Sequence, residues 1–214
     1  MIQSALRPID LYLRVDKNIG YPGGMNYASQ RGFAPLILFT SADVLLKPGA
    51  IATLVREMDN PEAGIAAPKL LFPEVNSPHG PPGSIQSAGT AFNIKGRPYH
   101  IFIAWRPDNP RVNIRRDSMS AVTGACFITR RSLWKEIGGF FEGYGKGTFE
   151  DMEYCFAVRR RGAKVIYTPL AVGYHLVNGS RLNGAGEGFA LSDNEQLFRM
   201  RNRDLLAWDE WRFW

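Results

Sequence analysis

At 214 residues, with 45% hydrophobic and 21% charged side chains, the chain has the size and make-up of one globular domain, and wholesale disorder is excluded. A net charge of +6 makes an anionic partner welcome without choosing among nucleotide phosphates, nucleic acid and an acidic membrane surface. No apolar run reaches membrane-spanning length, the N-terminus lacks a signal-peptide core, and Cys126 and Cys155 are too few for a disulfide framework, so two reduced core thiols in a cytoplasmic protein are expected.

In chain order, Ile9 to Val15 alternates apolar and polar and predicts a strand. The segment Asn18 to Asn26 follows, where Gly20, Gly23 and Gly24 let the backbone turn and approach a ligand, or simply form a tight turn. A short helix is expected over Tyr27 to Arg31, with its N-terminus facing that loop. Leu36 to Thr40 is almost wholly apolar and reads as a central strand covered on both faces. It ends in Ser41-Ala-Asp43, at the carboxyl end of a strand, where open α/β sheets place ligands. Asp43 there either holds a divalent ion against a diphosphate or caps the turn. Ala50 to Met58 has helical periodicity and Ile65 to Phe72 is extended again, so strand, helix, strand argues for a parallel α/β sheet.

Pro73 to Pro82 is a proline-rich loop in which His79 is expected to be solvent-exposed. Strands are predicted over Gln86 to Ile94 and His100 to Trp105. Arg106, Arg111, Arg115 and Arg116 then make a basic loop, which reads as a solvated surface before it reads as a phosphate grip. Ala121 to Thr129 is a strand in which Gly124 marks close backbone approach or a bulge. A short helix over Arg131 to Ile137 closes at Gly138-Gly139.

The stretch Gly147 to Cys155 puts Glu150 and Asp151 after a glycine-rich turn and at the start of a helix that stops at Gly162. The positive field of that helix end favours an ionised Asp151. Such a carboxylate either takes a proton from a substrate hydroxyl or is one of the acids common at solvated helix starts. Lys164 to Tyr167 and Ala171 to Leu176 are strands, the second running into Asn178 to Arg181. His175 near its end is either a second metal ligand or a structural histidine. From Ser192, apolar Leu197, Phe198, Leu205, Trp208 and Trp211 interleave with arginines in an amphipathic helix or arm, residues 191–214, that docks on the domain of residues 1–190, on a partner chain, or at a membrane surface.

Taken together, Asn18-x-Gly20, Gly24-x-Asn26, Asp43 after an apolar strand, Gly124-Ala-Cys-Phe-Ile, Gly138-Gly139-Phe-Phe-Glu, Phe149-Glu150-Asp151, Arg160-x-Gly162 and His175 closely resemble family 2 glycosyltransferases, most of all the rhamnosyltransferase-like branch. The resemblance spans roughly Leu13 to Arg181. It implies the GT-A fold, a Rossmann-like α/β three-layer sandwich with a mostly parallel central sheet, and transfer of a sugar from a nucleotide-sugar donor to an acceptor hydroxyl with inversion. It further implies that Asp151 is the catalytic base, that Glu150 shapes the acceptor site, that Asp43 and His175 bind a divalent metal (Mn2+ or Mg2+), and that Asn18, Gly20, Gly24, Asn26, Ser41 and Asp43 contact the donor. The acceptor would be a carbohydrate or lipid-linked sugar. In two places the chain departs from the pattern. The usual Asp-x-Asp is here Ser41-Ala-Asp43, and the family's opening strand, helix and strand have no counterpart before Leu13, which would leave a sheet edge and favours a homodimer.

Three hypotheses follow: a metal-dependent inverting glycosyltransferase, a catalytically inactive nucleotide- or carbohydrate-binding remnant of that family, and a basic module that binds nucleic acid or a membrane. The first is preferred. It carries no nucleic-acid partner and allows peripheral contact with the inner face of the membrane through the tail.

Overall fold

The structure is a computed structural model that describes residues 7–74, 79–176 and 191–213. Its centre is β3 (Ala63–Leu71), buried along its whole length, with Ile65, Ala67 and Leu71 packed into one layer and Ala63, Ala66 and Leu70 into the other. Around it the strand order is β1 (Leu36–Thr40), β7 (Cys126–Arg130), β3, β8 (Lys164–His175) and β2 (Val44–Leu46), with β4 (Ile85–Ser87) added on β3. Only β3 and β8 run parallel, Ile65 opposite Val165 and Ala66 opposite Ile166, and the other described pairs in this sheet are antiparallel. The α/β class is as expected, but the sheet is mixed where the sequence suggested mostly parallel.

Three layers result. On one face Leu54 and Met58, from α2 (Ala50–Glu57) and its C-cap, pack with Ala66, Leu70, Cys126, Ile128 and Ile166. On the other, Phe39, Ile65, Phe127 and Tyr167 meet Trp134 of α3 (Arg131–Ile137), Tyr154 and Phe156 of α4 (Glu150–Arg160), and Phe198 of α5 (Leu191–Asn202). Trp134 lies 4.5 Å from Phe39 and 4.9 Å from both Phe140 and Tyr154, ring centre to ring centre. Each such buried aromatic pair adds about 0.5–1.5 kcal/mol beyond its area. Both cysteines are free and buried in these two layers.

Several local expectations change. Ile9 to Val15 forms no strand; Ile9, Leu11, Tyr12 and Val15 are exposed, with no sheet neighbour among the described residues to take their backbone groups. The helix expected at Tyr27–Arg31 is instead α1 (Gly20–Ser29), swallowing the glycine loop. The Asn18 side chain accepts from Gly20 N at 2.9 Å, and Pro22 falls in the first turn, where a missing N–H costs nothing. The β1 strand is covered on both faces, Ile37 and Phe39 on one and Leu36 and Leu38 on the other, yet it stands at the end of the strand order.

The strand expected over Gln86–Ile94 is broken by Gly89, at φ +106°, into β4 and β5 (Thr90–Phe92), and β5 pairs with β6 (Pro98–His100). The chain then turns over Ile101–Ala104 instead of continuing as a strand. The two strands expected over Lys164–Tyr167 and Ala171–Leu176 are one, ending at His175, with a register shift opposite Pro68 and Lys69. The basic loop is tied into the protein. Arg115 pairs with Glu57 at 2.8 Å, and Arg116 donates to the carbonyls of Ile114 and Arg111. His79 is exposed, as expected. The turn expected at Asn178–Arg181 lies outside the described residues.

The C-terminal segment docks on the domain. Phe198 is fully buried, stacked 6.0 Å from Phe92 and tilted against Phe149 at 5.4 Å. Beyond α5, Asp209 is buried and accepts from Phe92 N at 2.7 Å and from the Ser120 hydroxyl, while its own N–H donates to Phe92 O. No helix among the described residues is long and apolar enough to cross a membrane.

Candidate functional site

The tips of β1 and β7 lie side by side, Ser41 N donating to Ala125 O at 2.8 Å, and the site is built around that seam. Gly124 N, one residue earlier, leaves the sheet ladder and donates to Asp151 Oδ2 at 2.6 Å. A Cβ at Gly124 would sit 3.0 Å from Asp151 Cβ, so the close approach inferred from the sequence is real. Asp151 Oδ1 accepts from Met152 N at 2.8 Å. From the other side Tyr21 of α1 donates its hydroxyl to Gly124 O at 2.5 Å and neighbours Ser41.

Three acids lie in the first turn of α4; Glu153 is tied to Tyr144, Arg201 and Asn202, and Glu150 and Asp151 line the pocket. The turn before them is strained: Thr148 at φ +79° and Phe149 at φ +71° are left-handed without being glycine. Each such residue costs on the order of 1–3 kcal/mol and persists where its surroundings over-determine it. The strain turns Glu150 and Asp151 into a pocket lined also by Thr90, Tyr99, His100 and Thr123. Burial pushes Glu150 up to about 8, with the adjacent Asp151 adding to the shift, and its Oε2 has no hydrogen-bond partner among the described residues. Burial also raises Asp151, against the pull of the Gly124 and Met152 amides. Sequence reasoning gave the helix field the deciding role at Asp151; desolvation outweighs it. Donors on both Asp151 oxygens nevertheless make Asp151 the better ionised partner and Glu150 the better proton holder.

A second pair forms where β2 meets β8. Register puts Val44 opposite His175, so Asp43 Oδ1 lies 3.5 Å from His175 Nε2. His175 Nδ1 faces Gln86 Oε1 at 3.3 Å; in the tautomer that donates from Nδ1, Nε2 keeps its lone pair on the side of Asp43. Burial lowers the His175 pKa although Asp43 opposes it. An imidazole nitrogen and a carboxylate oxygen facing each other at that distance, with the imidazole's other N–H held by an outer carbonyl, is a donor set that fits a divalent ion. Among the described residues no group of three or more His, Cys, Asp or Glu side chains is gathered, so the remaining ligands of such an ion would come from substrate and water.

The structure therefore brings Asp43 and His175 together, and links Asp151 through Gly124 and Tyr21 to Ser41, two positions before Asp43. Asp43 and His175 are not among the residues lining the Asp151 pocket. Of the glycine segment, Gly24 faces open space, whereas Asn26 is a clamp: its amide bonds Phe140 N, Phe140 O and Glu142. That occupation argues against the donor contact expected of Asn26. Sequence reasoning missed Tyr21, Gln86 and His100. Tyr21 was hidden inside a segment read for its glycines. His100 bonds Ser87 at 3.1 Å, and burial beside His175 drives it down to about 4. Only its place on a short strand next to Tyr99 could have flagged it.

Residues 12–205 match the family model described as Glycosyltransferase like family 2. The chain belongs to that family. Among curated relatives, the chain is 30% identical over 176 residues to the O-antigen biosynthesis protein RfbC of Myxococcus xanthus, and 27% identical over 173 residues to the uncharacterized protein y4gI of Sinorhizobium fredii. These alignments take in 78% and 79% of this chain but 13% and 18% of the relatives, so the chain spans less than a fifth of their lengths. Among solved structures, GalNAc-T7 with UDP, GalNAc and Mn2+ superposes with a TM-score of 0.60 at 13% identity, over 89% of this chain and 43% of that one. That likeness establishes the GT-A glycosyltransferase fold for this member of family 2.

Proposed function

We propose that this family 2 domain is an inverting glycosyltransferase that moves a sugar from a nucleotide-sugar donor to an acceptor hydroxyl. The observation that carries the reading is Asp151, lining the pocket with both oxygens held by backbone amides, while the Asp43–His175 pair stands outside that lining. Asp151 accepts the acceptor's proton as its oxygen attacks. Glu150, holding a proton on the unpartnered side, donates a hydrogen bond to the same acceptor. Asp43 and His175 would hold a divalent ion, which would supply positive charge against the departing diphosphate. Separation of base and leaving group is what in-line displacement with inversion requires. Asn18, Gly20, Gly24 and Ser41 border the donor side.

The hydroxyls and rings of Thr90, Tyr99, His100, Thr123 and Thr148 suit a sugar acceptor, with polar groups for its hydroxyls and an aromatic face for its carbons. The name of the Myxococcus relative favours a growing polysaccharide or lipid-linked sugar as that acceptor. The exposed Trp208 and Trp211 beside Arg212 would suit peripheral contact with a membrane carrying it.

The test is nucleoside diphosphate release from a panel of UDP-, GDP- and dTDP-sugars with Mn2+, comparing the protein with Asp151→Asn. A positioned base contributes about 10²–10⁴-fold, and the variant should lose at least that lower figure. Equal turnover in both proteins would remove Asp151 from the chemistry, and donor binding without turnover in any arm would favour a binding remnant.

A further inference from the structure

The two carboxyls depend on a turn that is strained by itself, and one side chain from far along the chain holds it. Asn194 of α5 is buried (6% exposed), and its Nδ2 points its two hydrogens at three acceptors: Tyr144 O at 3.0 Å, Gly147 O at 2.9 Å and Thr148 Oγ1 at 2.9 Å. One helical turn later Phe198 packs against Phe149. Both members of the left-handed pair Thr148–Phe149 are thus gripped by α5, one through hydrogen bonds and one through ring contact. We propose that Asn194 is a positioning residue for the Glu150–Asp151 pair, its amide fixing the left-handed turn that aims both carboxyls into the pocket.

The chemistry requires an amide. Two of the acceptors are backbone carbonyls, so a carboxylate at 194 would set oxygen against oxygen, and an alanine would leave buried carbonyls unpaired. Without the grip the turn relaxes toward ordinary backbone angles, Glu150 swings toward water and the pair separates. The charged and titratable groups around Glu150 are Asp151 on its own helix, Tyr144 from the preceding turn, Tyr21 from α1 and His100 across the pocket. None of these side chains is itself replaced by a change at 194, and Tyr144 is reached only through its backbone carbonyl.

The proposal rests on the transferase reading for its meaning, but its test does not use turnover. The whole chain labelled with ¹³C at glutamate carboxyls is titrated by NMR, Glu150 being assigned by its disappearance in Glu150→Gln. In the parent protein its midpoint is expected near 8, and in Asn194→Ala it should fall by at least about one unit toward an ordinary glutamate. Thr148→Gly combined with Asn194→Ala should recover most of the shift, because glycine takes positive φ without help. If Asn194→Ala does not fold, Asn194→Gln, which keeps the amide but overshoots its acceptors, gives the same reading. A folded variant with an unmoved Glu150 midpoint overturns the positioning role. Absence of nucleoside diphosphate release with every donor of the panel would instead overturn the transferase reading while leaving this titration as it stands.

Discussion

Gly124 N reaches Asp151 Oδ2 at 2.6 Å, so the backbone entering β7 sets where the carboxylate sits. A methyl group at 124 would lie 3.0 Å from Asp151 Cβ and 3.4 Å from Oδ2, tight enough to displace the side chain by several tenths of an ångström. Gly124→Ala is therefore expected to lower kcat while leaving donor affinity near the parent value. Misplacement approaching 1 Å costs up to about 10²-fold. Steady-state kinetics on protein verified as folded by circular dichroism checks this, and unchanged kcat would mean that Asp151 tolerates the shift.

The His175–Gln86 contact makes a prediction about metal. Gln86 is buried and holds Nδ1 of the histidine, the outer-shell position whose loss typically weakens a metal by about 10–100-fold. Gln86→Leu should weaken Mn2+ binding by that factor in titration calorimetry, and Asp43→Asn by more. Equal Mn2+ affinity in all three proteins would dissociate this pair from the ion.

Glu150 ties stability to pH with an unusual sign. Its folded value of about 8 lies above the ordinary 4.5, so between those limits the folded state holds more proton than the unfolded one. Stability from this group accordingly falls as pH rises through the window and is flat outside it. Glu150→Gln removes the slope and should gain on the parent protein as pH rises, by a few kcal/mol at most at about 1.4 kcal/mol per unit. Urea denaturation at a series of pH values across the window measures the difference, and parallel curves would contradict it.

Phe198 tests whether the C-terminal helix belongs to the core. Its ring is fully buried, within 6.0 Å of Phe92, Phe149 and Phe156, ring centre to ring centre. Phe198→Ala should destabilise the protein by about 3–5 kcal/mol, with the loss visible in the denaturation midpoint. A loss of a few tenths would mean that the segment from 191 onward is an appendage.

The class of fold and most elements were legible because apolar periodicity survives in β1, α2, β3, α3 and α4. The candidate site residues were legible where they flank the end of an element, Asp43 just before β2, Glu150 at the start of α4 and His175 at the end of β8. What sequence hid was direction and partnership. Antiparallel pairing of β1 with β7 joins strands some ninety positions apart, and no local pattern reports it. The glycines of 20–24 suggested a loop, whereas Asn18 and Pro22 start a helix there. Burial of the two acids was equally invisible, since their neighbours Tyr21, His100 and Asn194 come from three distant segments.

Gly20 has φ +75°, and any side chain there would strike Gly145 O and Lys146 Cα, each 2.6 Å from the added carbon; Tyr21 N also bonds Lys146 O at 2.9 Å. The start of α1 and the turn leading to the two acids are thus geared to one another at a point too narrow for a methyl group. On the proposed reading, anyone grafting a foreign helix in place of α1 to change sugar preference must transplant residues 145–146 with it, or Asp151 will arrive out of alignment.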